Sequence, residues 1–292
     1  MQGQKRQDFS KAFALGIVLN TAYVMVEAFY GFRINSSSLL ADAGHNLSDV
    51  VSLVIAWAAT GISKRRSTNR HTYGLKKSTI LASMANGLLI VGASVFILID
   101  AFGKIENPQP IPGEILMWVA GVGILVNTGT ALLFMKGRKT DLNIKGAFLH
   151  MAADAAVTLG VLLGGLTMKL TGEFWIDPIL SFVIVGVILY SAWGLLSDSL
   201  NLALDGVPEN IDVDKVAAYL RSFEMVEEVH DLHIWALSTT ETACTVHLVV
   251  PQGHSDDFLV MVRDSLRDEF GIGHSTIQVE KTFFDEEYRK PD

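Results

Sequence analysis

The chain has 292 residues, half of them hydrophobic and only 18% charged, with 31 acidic against 23 basic side chains. A mean hydropathy of +0.35 excludes an ordinary soluble domain of this length and points to a polytopic membrane protein. The single cysteine, Cys244, excludes an internal disulfide and any cysteine-rich metal site.

Six stretches reach the length of about 20 apolar residues needed to cross a bilayer. They run over 11–32, 38–62, 79–103, 113–135, 145–170 and 176–199. The first is long enough to span and lacks a small-residue cleavage site, so it is expected to be retained rather than removed as a signal peptide. Basic residues mark one side of the membrane. Lys5, Arg6 and Lys11 precede the first span, Lys64, Arg65, Arg66, Arg70, Lys76 and Lys77 follow the second, and Lys136, Arg138, Lys139 and Lys145 follow the fourth. The other side holds little beyond Arg33, Lys104 and Lys169. By the positive-inside rule both termini are expected in the cytoplasm.

The charge then changes sign. Residues 1–206 hold 16 Lys+Arg against 13 Asp+Glu, a net +3, and residues 207–292 hold 7 against 18, a net −11. The expected division is a six-helix transmembrane domain over 1–206 and a cytoplasmic domain over 207–292. In the latter, Ile211–Phe223 reads as an amphipathic helix, Glu228–Leu237 and Thr242–Pro251 as strands, Phe258–Phe270 as a second helix closed by Gly271, and Ser275–Lys281 as a third strand. The order α-β-β-α-β predicts a small α+β domain, an open sheet with two helices on one face.

Two of the spans repeat one device. His45 and Asp49 stand four residues apart in the second span, and His150 and Asp154 repeat that spacing in the fifth. An i, i+4 spacing stacks each pair on one helix face. Ionisable residues within a membrane are costly and mark ion pathways. The second span runs inward and the fifth outward. At about 1.5 Å per residue, Asp49 lies roughly 17 Å from the outer end of its span and Asp154 roughly 14 Å from the inner end of its own, so both fall near the midplane. Two imidazoles and two carboxylates make a tetrahedral set for a divalent metal such as zinc. Alanines and glycines around both motifs, Ala41, Ala43 and Gly44 in one and Gly146, Ala147, Ala152, Ala153, Ala155 and Ala156 in the other, are expected to let the two helices approach closely. Asn20, Asn86 and Asn127 read as interhelical hydrogen-bond partners, and Glu27 and Asp100 as residues of span ends or of a water-filled pathway. Metal binding needs neutral imidazole and ionised carboxylate, so protons compete with the ion, and metal/proton antiport is the expected coupling. Alternatives at this stage are a membrane metal sensor or a proton-relay protein without metal flux.

The paired His-x-x-x-Asp motifs, the six spans and the acidic tail with Val229-His230-Asp231-Leu232-His233-Ile234-Trp235 together resemble the cation diffusion facilitator family, in its bacterial zinc/cadmium exporter type. The resemblance implies a homodimeric exporter of the inner (cytoplasmic) membrane, with protons as counter-ion, Zn2+ as preferred cargo, Cd2+ and Co2+ as alternatives, and a metallochaperone-like, ferredoxin-like cytoplasmic domain. It places the transport site at His45, Asp49, His150 and Asp154. It also implies a regulatory zinc site at His230, His247, His274 and Glu280. His71, in the loop after the second span, matches a peripheral metal position in relatives, but Thr68 and Leu75 stand where those relatives have further ligands. Lys77 and Asp205 match an inter-subunit or membrane-to-tail salt bridge.

By strand alternation His230 and His233 are expected on opposite faces, so they serve one site only if the strand is distorted. His230 and His247 can face each other across two strands, Glu280 can add an oxygen, and His233 reads as a packing residue. The competing reading of the tail is an acidic dimerisation domain with ordinary strand histidines. No enzyme is expected. A membrane metalloprotease needs His-Glu-x-x-His, a nucleotide-driven pump needs a Walker loop, and neither motif occurs. A nucleic-acid partner is not expected either.

Overall fold

A computed structural model of the chain describes residues 10–135 and 142–283. Lys5, Arg6, Lys136, Arg138 and Lys139 lie outside the described residues, as do the side chains of Lys11 and Lys145. In chain order the elements are α1 (Ser10–Ile34), α2 (Ser37–Ser63), α3 (Ser78–Glu106), α4 (Gly113–Phe134), α5 (Leu142–Thr171), α6 (Ile176–Ala203), α7 (Val213–Arg221), β1 (Glu228–Ala236), β2 (Thr242–Val249), α8 (Asp256–Phe270) and β3 (Ile272–Glu280). The first six helices are long and apolar enough to cross a membrane, which makes this a multi-pass membrane protein. Two compact units form, one from Met1–Val54 with Asn86–Trp193 and the other from Ile55–Ala85 with Gly194–Asp292. Helices α2, α3 and α6 therefore each pass from one unit into the other.

In the first unit Leu39, Leu116, Val161, Met168 and Val185 are fully buried, while large apolar side chains such as Phe96, Leu125 and Tyr190 point outward. Outward apolar faces are what a lipid solvent requires. Among the described residues α4 and α5 pack most extensively against each other, and glycine lets their backbones come close. A Cβ on Gly113 would lie 2.6 Å from the Gly165 carbonyl oxygen, and one on Gly165 would lie 2.5 Å from Leu116 Cδ2. Among the described residues the expected close backbone approach of α2 and α5 is not found; these two helices meet through side chains instead. Ligand side chains reaching for one centre need room between the backbones that carry them.

The turn between α1 and α2 is held by a polar knot. Asn35 takes a left-handed conformation, φ 56°, and the Ser36 N–H closes onto the Gly31 carbonyl at 3.0 Å. Asp177, in the first turn of α6, accepts hydrogen bonds from Ser36 Oγ at 2.6 Å, Ser37 N at 2.6 Å, Ser38 N at 3.3 Å and Ser38 Oγ at 2.5 Å. A carboxylate from α6 thus caps the orphan N–H groups at the start of α2. Beside it, Ser37 Oγ donates to Asp100 Oδ2 at 2.6 Å, and Lys104 Nζ reaches the same carboxylate at 2.6 Å. Asp100 belongs to this knot, in the last two turns of α3.

The second unit contains the tail. Sheet order is β1-β2-β3, with β1 antiparallel to β2 and β3 parallel to it through the α8 crossover. Asp212 caps α7 by accepting from Lys215 N at 3.2 Å, and the Lys215 ammonium and N–H hold its carboxyl below the usual range. Ser255 caps α8, and Gly271 ends it in the left-handed conformation at φ 70°. Val216 and Leu220 of α7 and Phe258, Val262 and Leu266 of α8 pack on Ile234, Cys244, Val246 and Leu248 of the sheet, so both helices cover the same face. The loop between α2 and α3 meets this tail through ion pairs of Lys76 with Glu241 and of Lys77 with Asp205, the latter at 2.6 Å. Tyr73 of the same loop stacks edge-on against His274.

Asp177→Ala leaves two backbone N–H groups and two hydroxyls buried without an acceptor. At about 1–3 kcal/mol per unsatisfied group, the expected loss is about 3 kcal/mol or more. Thermal unfolding in detergent measures it, with Asp177→Asn losing less; an unchanged midpoint would mean that the knot contributes nothing to stability.

Candidate metal centres

Asp49 and Asp154 stand four residues after His45 and His150 on α2 and α5, and the two helices turn these pairs toward each other. The pairing is reciprocal. His45 Nε2 lies 3.4 Å from Asp154 Oδ1, and His150 Nε2 lies 3.2 Å from Asp49 Oδ2 and 3.7 Å from Asp154 Oδ2. Ligand atoms of Asp49, His150 and Asp154 all fall within 4.8 Å of one another, and the His45 and His150 ring centroids are 6.2 Å apart. Asp154 is 1% exposed. Oδ2 of Asp49 and Oδ2 of Asp154 are buried, and neither makes a hydrogen bond of acceptable geometry among the described residues. Buried oxygens without donors, beside imidazole nitrogens, form a donor set suited to a divalent cation.

A second polar layer adjoins the first. Thr158 Oγ1 lies 2.9 Å from Asp42 Oδ2 and 2.9 Å from the Asp154 carbonyl, so one hydroxyl bridges α2 and the turn of α5 that carries Asp154. Asn46, next to His45, donates to Glu27 Oε2 at 3.3 Å, and Tyr23 OH donates to Glu27 Oε1 at 2.8 Å. Glu27 and Asp42 are fully buried. Glu27 thus sits inside the bundle rather than at a span end. Asp42 escapes a search for duplicated spacing because the fifth span has Ala147 at the corresponding place. The cost of burying a carboxylate in a span was the signal that could have found it. Oδ1 of Asn20, Oδ1 of Asn86 and both amide atoms of Asn127 are buried and have no hydrogen-bond partner among the described residues. Hydropathy indicates which polar side chains are inside but not what stands opposite them.

The tail holds another group on the sheet face opposite the helices. His230 pairs with His247 across β1 and β2, their ring centroids 5.1 Å apart. Glu280 reaches both, with Oε2 at 3.2 Å from His230 Nε2 and Oε1 at 3.0 Å from His247 Nδ1. These three offer ligand atoms within 4.8 Å of one another. His274 is elsewhere: it pairs with Ala243 and lies six residues from Glu280 on β3, roughly 20 Å along the strand. Its ring faces Tyr73 instead.

His233 departs from its expected packing role, and the expected opposition of His230 and His233 also fails. Between the pairs His230↔His247 and His233↔Thr245, β1 advances three residues while β2 advances two. Asp231 absorbs the extra residue with φ 50°, a bulge that brings His230 and His233 to one face. The exposed His233 then meets Asp231 Oδ1 at 2.8 Å, and Asp231 Oδ2 lies 3.5 Å from His247. His71 stays exposed in a turn with Thr68 and belongs to no ligand group among the described residues.

Six spans enclosing nitrogen and oxygen donors, followed by a small α+β domain with donors of its own, define a membrane cation transporter. The family model described as "Cation efflux transmembrane domain" matches residues 13–202, and that described as "Cation efflux protein, cytoplasmic domain" matches residues 208–282. The chain belongs to this family of cation efflux transporters, the cation diffusion facilitators. It is 32% identical over 276 residues to the "Cadmium, cobalt and zinc/H(+)-K(+) antiporter" of Bacillus subtilis, covering 92% of this chain and 88% of that one. To the zinc transporter ZitB of Escherichia coli it is 34% identical over 271 residues, covering 92% and 86%. Among solved structures, the metal-bound C-terminal domain of the CzcD transporter from Cupriavidus metallidurans is 35% identical, with a TM-score of 0.23, covering 24% of this chain and 99% of that domain.

Cys244 takes no part in either centre. It lies in β2 under the helices, and burial pushes its thiol up to about 11. At pH 8 the thiolate fraction is then about one in a thousand. Maleimide at that pH is expected to leave the folded protein unmodified and to label Cys244 fully in denaturant, as read by intact mass; rapid labelling of the folded form would contradict this burial.

Proposed function

We propose that residues 1–206 form a transport domain that exports divalent metal across the inner membrane in exchange for protons. Zinc is the foremost cargo, with cadmium and cobalt as alternatives. His45, Asp49, His150 and Asp154 hold the ion in a tetrahedral His2Asp2 set, and residues 207–292 form a cytoplasmic domain through which two copies associate. The observation that carries this reading is the reciprocal pairing of His45 with Asp154 and of His150 with Asp49, with buried carboxylate oxygens that lack donors. Two nitrogens and two oxygens suit zinc better than iron or manganese, which favour more oxygen. The name of the B. subtilis relative, with zinc, cadmium, cobalt and protons, agrees with this choice.

Proton coupling follows from the chemistry of the donors. An imidazole must be neutral to ligate and a carboxylate ionised, so proton and metal contend for the same atoms. In this arrangement each histidine has a carboxylate of the opposite helix beside it. A proton arriving at the site therefore meets the atoms that the metal must leave.

Zinc flux in proteoliposomes under an imposed pH gradient tests the assignment. Asp49→Ala and Asp154→Ala are each expected to lower flux on the order of 100-fold or more, since even residues that only orient metal ligands are worth 10–100-fold. Unchanged flux in both variants would remove the site. Flux indifferent to the gradient would keep the site and remove the proton coupling.

For the tail, His230, His247 and Glu280 are proposed as a regulatory zinc site, with His274 outside it. Calorimetry on residues 207–292 is expected to give micromolar or tighter zinc binding that His247→Ala abolishes and His274→Ala leaves unaltered. No heat at micromolar zinc would leave the tail as an assembly scaffold only.

A further inference from the structure

Residues 64–77, between α2 and α3, contain Lys64, Arg65, Arg66, Arg70, Lys76 and Lys77 and no acid. Lys76 and Lys77 are engaged by Glu241 and Asp205. The other four cations are exposed and have no carboxylate partner among the described residues. The loop is folded. Thr68 and His71 exchange backbone hydrogen bonds at 3.0 and 3.1 Å, and the Gly74 N–H donates to His71 O at 2.9 Å. At Gly74, φ 76°, a Cβ would stand 3.0 Å from the Arg65 carbonyl oxygen, so the loop doubles back onto its own start, an approach that favours glycine.

Against this loop opens a cavity of about 640 Å³. Its lining includes the basic Arg70, Lys76 and Lys77 and the apolar Ile62, Leu81 and Trp235. Ile62 and Leu81 belong to the last turn of α2 and the first turns of α3 and are exposed. They stand at the ends of two spans, where hydrocarbon gives way to headgroups. Asp205, the acid in the lining, is occupied by Lys77.

We propose that this cavity binds the headgroup of an anionic phospholipid of the leaflet it faces. The phosphate meets Arg70 in the lining, the exposed cations Lys64, Arg65 and Arg66 outside the lining on the adjoining turn add positive charge, and the acyl chains follow Ile62 and Leu81. A cluster of four to eight basic residues directly beside a span attracts anionic headgroups. The positive-inside rule asks only for charge near a span end. It does not ask for a folded loop, tied down by two of its own lysines, beside a cavity lined by both basic and apolar side chains. A soluble anion would have no use for the apolar part of that lining.

The full-length protein, stripped of lipid in detergent, is offered phosphatidylglycerol or phosphatidylcholine at low ionic strength, and retained lipid is read by native mass spectrometry. The wild type is expected to prefer phosphatidylglycerol. At about fivefold per cation, R65Q/R66Q/R70Q should lose on the order of a hundredfold of that preference, while R65K/R66K/R70K keeps most of it. Equal retention of the two lipids by the wild type, or an unchanged preference in the glutamine variant, overturns the proposal. Displacement of phosphatidylglycerol by inorganic phosphate at equal concentration overturns the lipid as the source of the phosphate. A photoreactive phosphatidylglycerol, which needs no variant, is expected to label residues 62–81 of the wild type; labelling confined to other segments overturns the proposal as well.

Discussion

A carboxylate inside a bilayer has no water to turn to, and the membrane-spanning unit is organised around that fact. Its acids meet the constraint in three ways. Asp177 is saturated, with two N–H groups and two hydroxyls on its oxygens, and Asp100 is held by Lys104 and Ser37. Glu27 receives Tyr23 and Asn46, and Asp42 has Thr158 on one oxygen only. Asp49 and Asp154 keep buried oxygens without a hydrogen-bond donor and with imidazoles beside them. Saturation makes Asp177 a structural cap, whereas under the proposed function incomplete saturation beside imidazoles leaves Asp49 and Asp154 able to take a cation. On that reading the same residue type divides into scaffold and site according to its surroundings.

How much of this was legible in the sequence depends on the kind of signal. The six spans and the α-β-β-α-β tail follow from apolar length and periodicity, which report what solvent each residue faces, and the helices and strands lie close to the expected ranges. The duplicated His-x-x-x-Asp spacing pointed to the first candidate centre because one helix turn of spacing is a local geometric fact. The knot around Asp177 left no such mark. Its partners are about 140 positions away in the chain, and three consecutive serines read as an ordinary turn. Asp42 has no counterpart in the fifth span, so a search for symmetry passes over it.

The tail shows the limit of periodicity from the other side. Strand alternation is a parity rule, and one extra residue at Asp231 inverts the parity of everything on one side of it. Val229, Ile234 and Ala236 are buried under the helices, an arrangement no unbroken alternation could produce. His233 therefore emerges on the face of His230 and His247. His274 fails for a different reason: distance along a straight strand. It occupies β3 like Glu280, but six residues of extended chain separate the two, and side chains do not bridge that span.

The two centres differ in what holds their donors. In the tail, His230 and His247 sit opposite each other on hydrogen-bonded strands, and Glu280 stands on the next strand of the same ladder. Ladder hydrogen bonds fix the separation of those residues, so the group has one geometry. Asp49 and Asp154 stand on α2 and α5, which meet through these side chains, whereas the glycine-lined close contact belongs to α4 and α5. No backbone bond sets the distance between α2 and α5. Under the proposed function this is the required asymmetry. A regulatory ion is best kept by donors that cannot separate, but a transported ion must also be released, and release is easiest where the two halves of the cage belong to elements free to part.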